Sequence, residues 1–343
     1  MRSAGLPVEI RYLPLDSPIL LRRFIRRNQP RTLVLVETEL WPNLLRQARL
    51  AGLHAVLVNG RLSPRLRRTY HRLSQLYAPL LARLEWIGAQ DAADADHFRE
   101  LGASRVEVTG NLKFDLPDSP ATPALERNRF AGDRLWLAGS THPGEEAPLL
   151  SVHRGLQEAH PDGRVQMLLA PRHPARTPEV MALCRESGFN VVARSSIDAS
   201  ATAADVIVLD TLGELVGFYA IADAAFVGGS LVPRGGQNPL EAIVADCPVV
   251  MGPDSRNFAG MVERLRSAGA IAQVADTDAL LGALRQLLED PEAGRAQAAR
   301  ARQVLRANSG ATLRTLCLLE PLLPGPDRSS GHANPDSPGV HSR

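Results

Sequence analysis

Aromatic residues make up only 4% of the chain, too few for a base-stacking platform. The formal net charge is +2, too small an excess to imply nucleic-acid binding. No run of about 18 consecutive apolar residues occurs, so no transmembrane helix is expected. Met1 is followed by RSAGLPVEIRYLPLD, which lacks the continuous apolar stretch of a signal peptide. Three cysteines, Cys184, Cys247 and Cys317, include no CxxC. That excludes a zinc knuckle and a disulfide framework and makes a reducing, cytoplasmic setting the default. GxGxxG and GxxxxGKS are both absent, so neither a nicotinamide nor a P-loop nucleotide site is indicated. There is also no GxSxG elbow, and no His/Cys/Asp cluster has metal-ligand spacing.

What is present is ordinary for a globular chain: 343 residues, 44% hydrophobic and 22% charged. At roughly 150 residues per domain this makes about two domains. Short runs rich in Val, Leu and Ile alternate with helix-length segments, the pattern of a parallel sheet covered on both faces. Strands are expected at Val8–Leu13, 32–37, 54–59, 84–90 and 105–110, with helices at Leu20–Arg27, Pro42–Ala51, Pro64–Leu81 and Asp94–Leu101. A second series of seven strands is expected from Leu135 to Ala275, followed by a largely helical stretch to Leu319. LPDSPATPALERN (116–128) reads as a linker, and everything after Pro324 reads as disordered. The expected division is a first domain over 1–117, a linker over 118–130, a second domain with terminal helices over 131–323, and a tail over 324–343. The first domain is the shorter in strands and opens abruptly.

Ligands of doubly wound sheets bind beyond the carboxyl ends of the strands, and the polar motifs fall there. Ser140 and Thr141 follow a strand and precede two glutamates; they either cap a helix or receive an anionic group at its amino end. Pro171 and Pro174 flank Arg172 and His173, a pair that either grips phosphate or merely lies on the surface. Leu212, Gly213 and Glu214 end another strand. FVGGSLVPRGGQNPLE (226–241) carries two Gly-Gly pairs, Gly235-Gly236 being the second, before Asn238, Pro239, Leu240 and Glu241. Glycines expose backbone N–H groups to phosphate, and a carboxylate beside them suits a ribose. A sugar-nucleotide donor fits best, with another phosphorylated metabolite or plain structural turns as the alternatives. Glu37, Glu39, Asn59, Arg61 and Lys113 end strands of the first domain. Arginine clusters at 22–27 and 61–72 are either solvated helix faces or surfaces for an anionic substrate or membrane.

As a set, ETELWPN (37–43), VNGRLS (58–63), GNLKFD (110–115), AGSTHPGEE (138–146), PRHP (171–174), DTLGEL (210–215), the 226–241 motif and GPDSRNF (252–258) resemble the 3-deoxy-D-manno-octulosonic acid (Kdo) transferases of lipopolysaccharide synthesis. The likeness runs in order from about Leu13 to Leu316. It implies an α/β fold of the GT-B glycosyltransferase type with two Rossmann-like, doubly wound domains, the first incomplete. It implies inverting transfer of Kdo from CMP-Kdo to the tetra-acylated lipid A precursor, lipid IVA. The setting would be the cytoplasmic face of the inner membrane, with this chain peripheral on an anionic surface. The resemblance implies neither a cofactor nor a metal.

Carried over by motif, Pro171, Arg172, Leu212, Gly213, Glu214 and Asn238 to Glu241 would hold the CMP part, and Ser140 and Thr141 would lie near the phosphate. Glu39 and Lys113 would stabilise the transition state. Two departures stand out. Gln237 occupies a position where the family usually writes His. The family's proposed general base, in a Gly-Glu motif after a membrane-associating helix, is expected upstream of Met1. A non-catalytic binding remnant and a GT-B transferase with another acceptor are the competing readings.

Overall fold

The structure, a computed structural model, describes residues 8–115, 127, 130, 132–161, 163–197 and 203–323. It divides into two units, Met1–Asp115 with Ser309–Arg343, and Leu116–Asn308.

The first unit is built on four parallel strands, β1 (Thr32–Val36), β2 (His54–Gly60), β3 (Trp86–Ala89) and β4 (Val106–Val108), paired in chain order. Between and before them run α1 (Pro18–Asn28), α2 (Pro42–Leu50), α3 (Pro64–Arg72), α4 (Ser74–Leu81) and α5 (Ala92–Glu100). Proline opens the first three of these helices, where its missing N–H would have had no partner. The Ser63 and Asp91 side chains cap α3 and α5 by accepting from Leu66 N and Asp94 N. On one face of the sheet Leu35, Leu57 and Ile87 pack with Leu21, Leu44, Leu45 and Phe98 of α1, α2 and α5.

The second unit has seven parallel strands: β5 (Arg134–Thr141), β6 (Val165–Pro171), β7 (Val191–Ala193), β8 (Val206–Val208), β9 (Ala224–Val227), β10 (Val249–Met251) and β11 (Ala272–Gln273). Their order is β11-β10-β9-β5-β6-β8-β7. The helices are α6 (Glu146–Ala159), α7 (Thr177–Glu186), α8 (Leu215–Ile221), α9 (Leu240–Val244), α10 (Ala259–Ser267), α11 (Thr277–Glu289) and α12 (Pro291–Asn308). Trp136, Met167, Leu169, Val208 and Phe226 of the sheet bury against Leu149 and Leu156 of α6 and Leu280 and Leu284 of α11. Burying each such side chain contributes about 1.5–3 kcal/mol. This is the seven-stranded parallel sheet expected over Leu135 to Ala275.

Three expectations need correction. Residues 8–13 form no strand; Val8, Ile10 and Tyr12 are exposed, and alternating apolar residues make a strand only where a neighbour accepts the ladder. The helix expected over Pro64–Leu81 is two helices, broken at Leu73, whose φ of −105° and ψ of 28° are not helical. The last helix, α13 (Ala311–Leu319), belongs to the first unit rather than to the second. Leu318, Leu319 and Leu322 cover Val56, Val58 and Trp86, the face of the first sheet that α1, α2 and α5 leave bare. Apart from Arg127 and Phe130, the linker expected at 118–130 lies outside the described residues, as does the tail expected at 324–343.

The Asp115 carboxylate fastens α13 by accepting from the amides of Gly310 (2.6 Å) and Thr312, and Arg314 Nε donates to Thr109 O at 2.8 Å. Burial pushes the Asp115 carboxyl up, but the amides of Thr312, Gly310 and Ala311 and the Thr312 hydroxyl outweigh it and hold the group below its usual range. Asp115→Ala is therefore expected to cost about 1–2 kcal/mol, the worth of a charged helix cap. Because the folded pKa is depressed, this stabilisation is present at neutral pH and disappears as pH falls below about 4. Urea melts of both proteins across that range check it; a difference that persists undiminished at about pH 2 would rule out the charged cap.

Candidate functional site

β5 lies between β6 and β9, so the strand order of the second unit reverses between β5 and β9. That is where a ligand belongs in a doubly wound sheet. The backbone is unusual there. Ser140 at the end of β5 has a φ of 56°, a left-handed value rare for a residue with a side chain. In the first unit, separately, Glu37 and Asn59, at the ends of β1 and β2, have φ values of 61° and 55°. Gly228 follows β9 so closely against β5 that a Cβ there would lie 2.5 Å from Ser140 O.

The glycine-rich loop does not offer its amides to a ligand. Glu145, fully buried, takes them: its carboxylate accepts from Gly229 N (2.7 Å), Ser230 N (3.1 Å), Leu231 N (3.0 Å) and His142 N (2.9 Å). Gly235 N donates to Asp254 Oδ2 at 2.7 Å and Gly236 N to Gly229 O at 2.8 Å. Gly235 and Gly236 are thus packing positions; a Cβ on Gly235 would lie 2.6 Å from the Asn257 side chain. Thr141 is also fully buried, and its hydroxyl donates to Glu146 Oε1 at 3.0 Å. Neither Ser140 nor Thr141 caps a helix, because α6 starts at Glu146 with Glu145 before it. Of that pair only Ser140 is left partly open to solvent.

Other predicted residues do stand ready. Arg172 is exposed, and its guanidinium has no hydrogen bond or ion pair among the described residues; its amide donates to Thr141 O. His173 is exposed and lies edge-on to His142 at 6.3 Å between ring centroids. The carboxylate of Glu241, half-buried, likewise has no hydrogen bond or ion pair among the described residues. Burial pushes its carboxyl up, and the positive charge of Arg172 offsets part of that. Asn238 Oδ1 accepts from Leu240 N at 3.1 Å, two residues on, while Pro239 and Leu240 are buried. Leu212 is 84% exposed beside Gly213, whose φ is 84°. Glu214 is already held by the Thr211 hydroxyl and by Arg194 at 3.1 Å. Pro171 ends β6 and is buried.

At the carboxyl edge of the first unit, Lys113 pairs with Glu37 rather than Glu39, at 2.7 Å. Lys113 is the only lysine in the sequence. Glu39 accepts from the Trp41 indole at 2.8 Å. Asn59 is buried and accepts from Leu112 N at 3.1 Å, which seats the turn carrying Lys113. Burial, then the nearby Tyr77 and Glu39, raise the Tyr70 hydroxyl to about 12, and it donates to Thr38 O at 3.4 Å. Among the described residues no three His, Cys, Asp or Glu gather as a metal site, and no helix is long and apolar enough to cross a membrane.

The family model "3-Deoxy-D-manno-octulosonic-acid transferase (kdotransferase)" matches residues 2–116. A 3-deoxy-D-manno-octulosonic acid transferase of Haemophilus influenzae is 36% identical over 319 residues, covering 91% of this chain and 74% of its own. The chain belongs to the Kdo transferase family. A relative of the same description from Bordetella pertussis is 38% identical over 90% of this chain and 73% of its own. Among solved structures, a putative UDP-N-acetylglucosamine 2-epimerase from Listeria monocytogenes aligns with a TM-score of 0.58 at 14% identity, over 88% of this chain and 76% of its own. A trehalose 6-phosphate synthase from Burkholderia multivorans aligns with a TM-score of 0.57 at 13% identity, over 89% and 75%. These likenesses show the fold, the GT-B type with two Rossmann-like units.

For three residues of this Kdo transferase, sequence reasoning did not reach the partners that the structure gives them. Glu145 is visible in the string only as part of an acidic pair; both glutamates turn inward, and nothing in the string says which of them meets the amides of residues 229–231. His142, bonded to Gln237 at 3.0 Å, is held below its usual pKa by burial and then by Arg234, His173 and Arg172. Glu37 was noted as one of two carboxylates, and only the fold selects it for Lys113.

Ionising a carboxyl whose pKa rises on folding costs the folded state, so Glu241 lowers stability as pH climbs above the ordinary glutamate range of about 4.3. Glu241→Gln is expected to raise the melting temperature at about pH 7 and to leave it unchanged near pH 3.5. An equal shift at both pH values would mean that the carboxylate's charge is not the cause.

Proposed function

We propose that this chain moves Kdo from CMP-Kdo to the lipid A precursor, lipid IVA, with inversion at the anomeric carbon. The observation that carries this reading is the pair Arg172 and Glu241: opposite charges at the ligand edge of the second unit, neither side chain with a hydrogen bond or ion pair among the described residues. A half-buried carboxylate is costly to maintain without a partner, and a ribose offers two hydroxyl donors to satisfy it. An exposed guanidinium suits the phosphate of the same nucleotide, which it can hold bidentately. Asn238, Pro239 and Leu240 shape the ground on which Glu241 stands. Pro171, Leu212, Gly213 and Glu214 line the remaining strand ends, and Ser140 and His173 flank the phosphate.

In the reaction the acceptor hydroxyl oxygen bonds to the anomeric carbon of Kdo as the bond from that carbon to the phosphate oxygen breaks. CMP leaves with the electron pair, and the hydroxyl proton passes to a base. Charge builds on the leaving phosphate, so fixed positive groups there lower the barrier. Kdo carries its own carboxylate, and Lys113, exchanging Glu37 for that group, would neutralise it, with Glu39 beside it in the same motif.

The acceptor bears phosphates, and α3 presents Arg65, Arg67, Arg68 and Arg72 to solvent. α1 presents Arg22, Arg23, Arg26 and Arg27 alongside Ile19, 80% exposed, with Leu15, 77% exposed, just before it. Basic residues interleaved with apolar tips suit peripheral docking on the anionic inner face of a membrane.

Calorimetric titration with CMP tests the donor site. Glu241→Ala is expected to weaken binding by about 10- to 150-fold, the worth of roughly 1.5–3 kcal/mol for a hydrogen bond to a charged group. A folded wild type that ignores CMP would overturn the reading. So would equal affinities, for Glu241. Transfer from freshly made CMP-Kdo to lipid IVA, with and without Lys113→Ala, tests the acceptor and the lysine.

A further inference from the structure

We infer that Glu145 is an internal anion that holds the loop between β9 and α9 in its ligand-binding shape, a positioning residue for the donor site. The inference rests on the donor reading above only where CMP is the readout. The four amides that converge on Glu145, from His142, Gly229, Ser230 and Leu231, form the concave backbone cradle that in other sheets binds a phosphate. Here the cradle is filled from inside by a fully buried side chain of the same chain.

A continuous set of bonds leads from that carboxylate to the donor residues. Gly229, whose amide is fixed by Glu145, accepts from Gly236 N at 2.8 Å, and Gly228 accepts from Gln237 N at 3.0 Å. The Gln237 side chain in turn meets His142 at 3.0 Å. Ser230 ties the far side, its carbonyl accepting from Asp254 N at 3.0 Å and its hydroxyl oxygen from Gly252 N at 2.8 Å. Asn238 and Glu241 follow directly on Gln237, so their position depends on where Gly228 and Gly229 are held. Glu146, its neighbour, turns to Arg176 and Thr141 instead, so it cannot stand in. Burial pushes the Glu145 carboxyl up, and the amides of Gly229, His142, Leu231 and Ser230 bring it only part of the way back.

The test is chemical rescue. Glu145→Ala empties a carboxylate-sized space lined by four N–H donors, and formate or acetate should refill it. Glu145→Ala is expected to bind CMP at least about tenfold more weakly than wild type, and to recover most of that loss in a saturable way with formate. Chloride at matched ionic strength should not restore it. Formate should also raise the melting temperature of Glu145→Ala and leave wild type unmoved, a readout that needs no CMP. If wild type ignores CMP, the donor reading fails while the melting shift still judges Glu145. Should the alanine variant not fold, Glu145→Gln, which keeps the volume but sets an amide against the N–H groups, is expected to show the same loss in CMP affinity. CMP binding equal to wild type in both variants, or a folded alanine variant that formate neither stabilises nor restores, would overturn the inference.

Discussion

A carboxylate desolvated among backbone amides governs the ligand edge of the second unit. Removing the Glu145 charge from water costs several kcal/mol. Each amide it accepts from returns roughly 1.5–3 kcal/mol, and four are arranged around it. Without that anion the turn after β9 would point unpaired N–H groups at one another in a dry interior, an arrangement proteins almost never keep. The left-handed Ser140 and the close approach of Gly228 to β5 lie beside the loop seated over this one group.

The first unit depends on a different constraint, that a parallel sheet must be covered on both faces. α1, α2 and α5 cover one face, and the other receives α13 from nearly two hundred residues further along the chain, counting from the Asp115–Gly310 separation of 195. Only the middle of that second face is covered. Val34 and Val36 on β1, in register with Val56 and Val58, remain 39% and 52% exposed. Non-local covering of this kind leaves almost no trace in a local pattern. The segment 311–319 reads as a helix from its own residues, but its partner is decided by which apolar surface is vacant and by a capping carboxylate at Asp115.

Much else was legible. The runs LWLAGS, VQMLLAP and VIVLD are so apolar that only interior strands fit, and the structure pairs them as β5, β6 and β8. Helix starts followed proline, as at Pro42 and Pro64. The errors came where periodicity was the sole guide. Val8 and Ile10 alternate like a strand but meet no neighbour, and Leu73 interrupts a pattern that runs smoothly through it. At the site, Arg172 is exposed, which suits both readings that the string leaves open. Gly235, Gly236 and Thr141 turn their polar atoms to other parts of the chain, which the string does not reveal, because loop glycines and strand-end hydroxyls look alike whether those atoms face a ligand or the same chain.

Lysine usage bears on the first unit's edge beside the GNLKFD motif. Every basic side chain but Lys113, histidines aside, is arginine, so the chain strongly prefers the guanidinium wherever a solvated positive charge will do. An arginine at 113 could also pair with Glu37, bidentately and at higher pKa. What it could not do as readily is release that partner and present a compact, strongly hydrated point charge to a second carboxylate. The ion pair is about half exposed on both sides, 41% for Lys113 and 49% for Glu37, so its strength is small, in the range of about 0–1 kcal/mol. A weak, exchangeable partner suits the role proposed for Lys113, in which a ligand carboxylate takes the place of Glu37. The buried Asn59 beneath it fixes the turn but not the ammonium. A fixed backbone and an exposed ion pair are what the role proposed for Lys113, meeting a ligand carboxylate, would require.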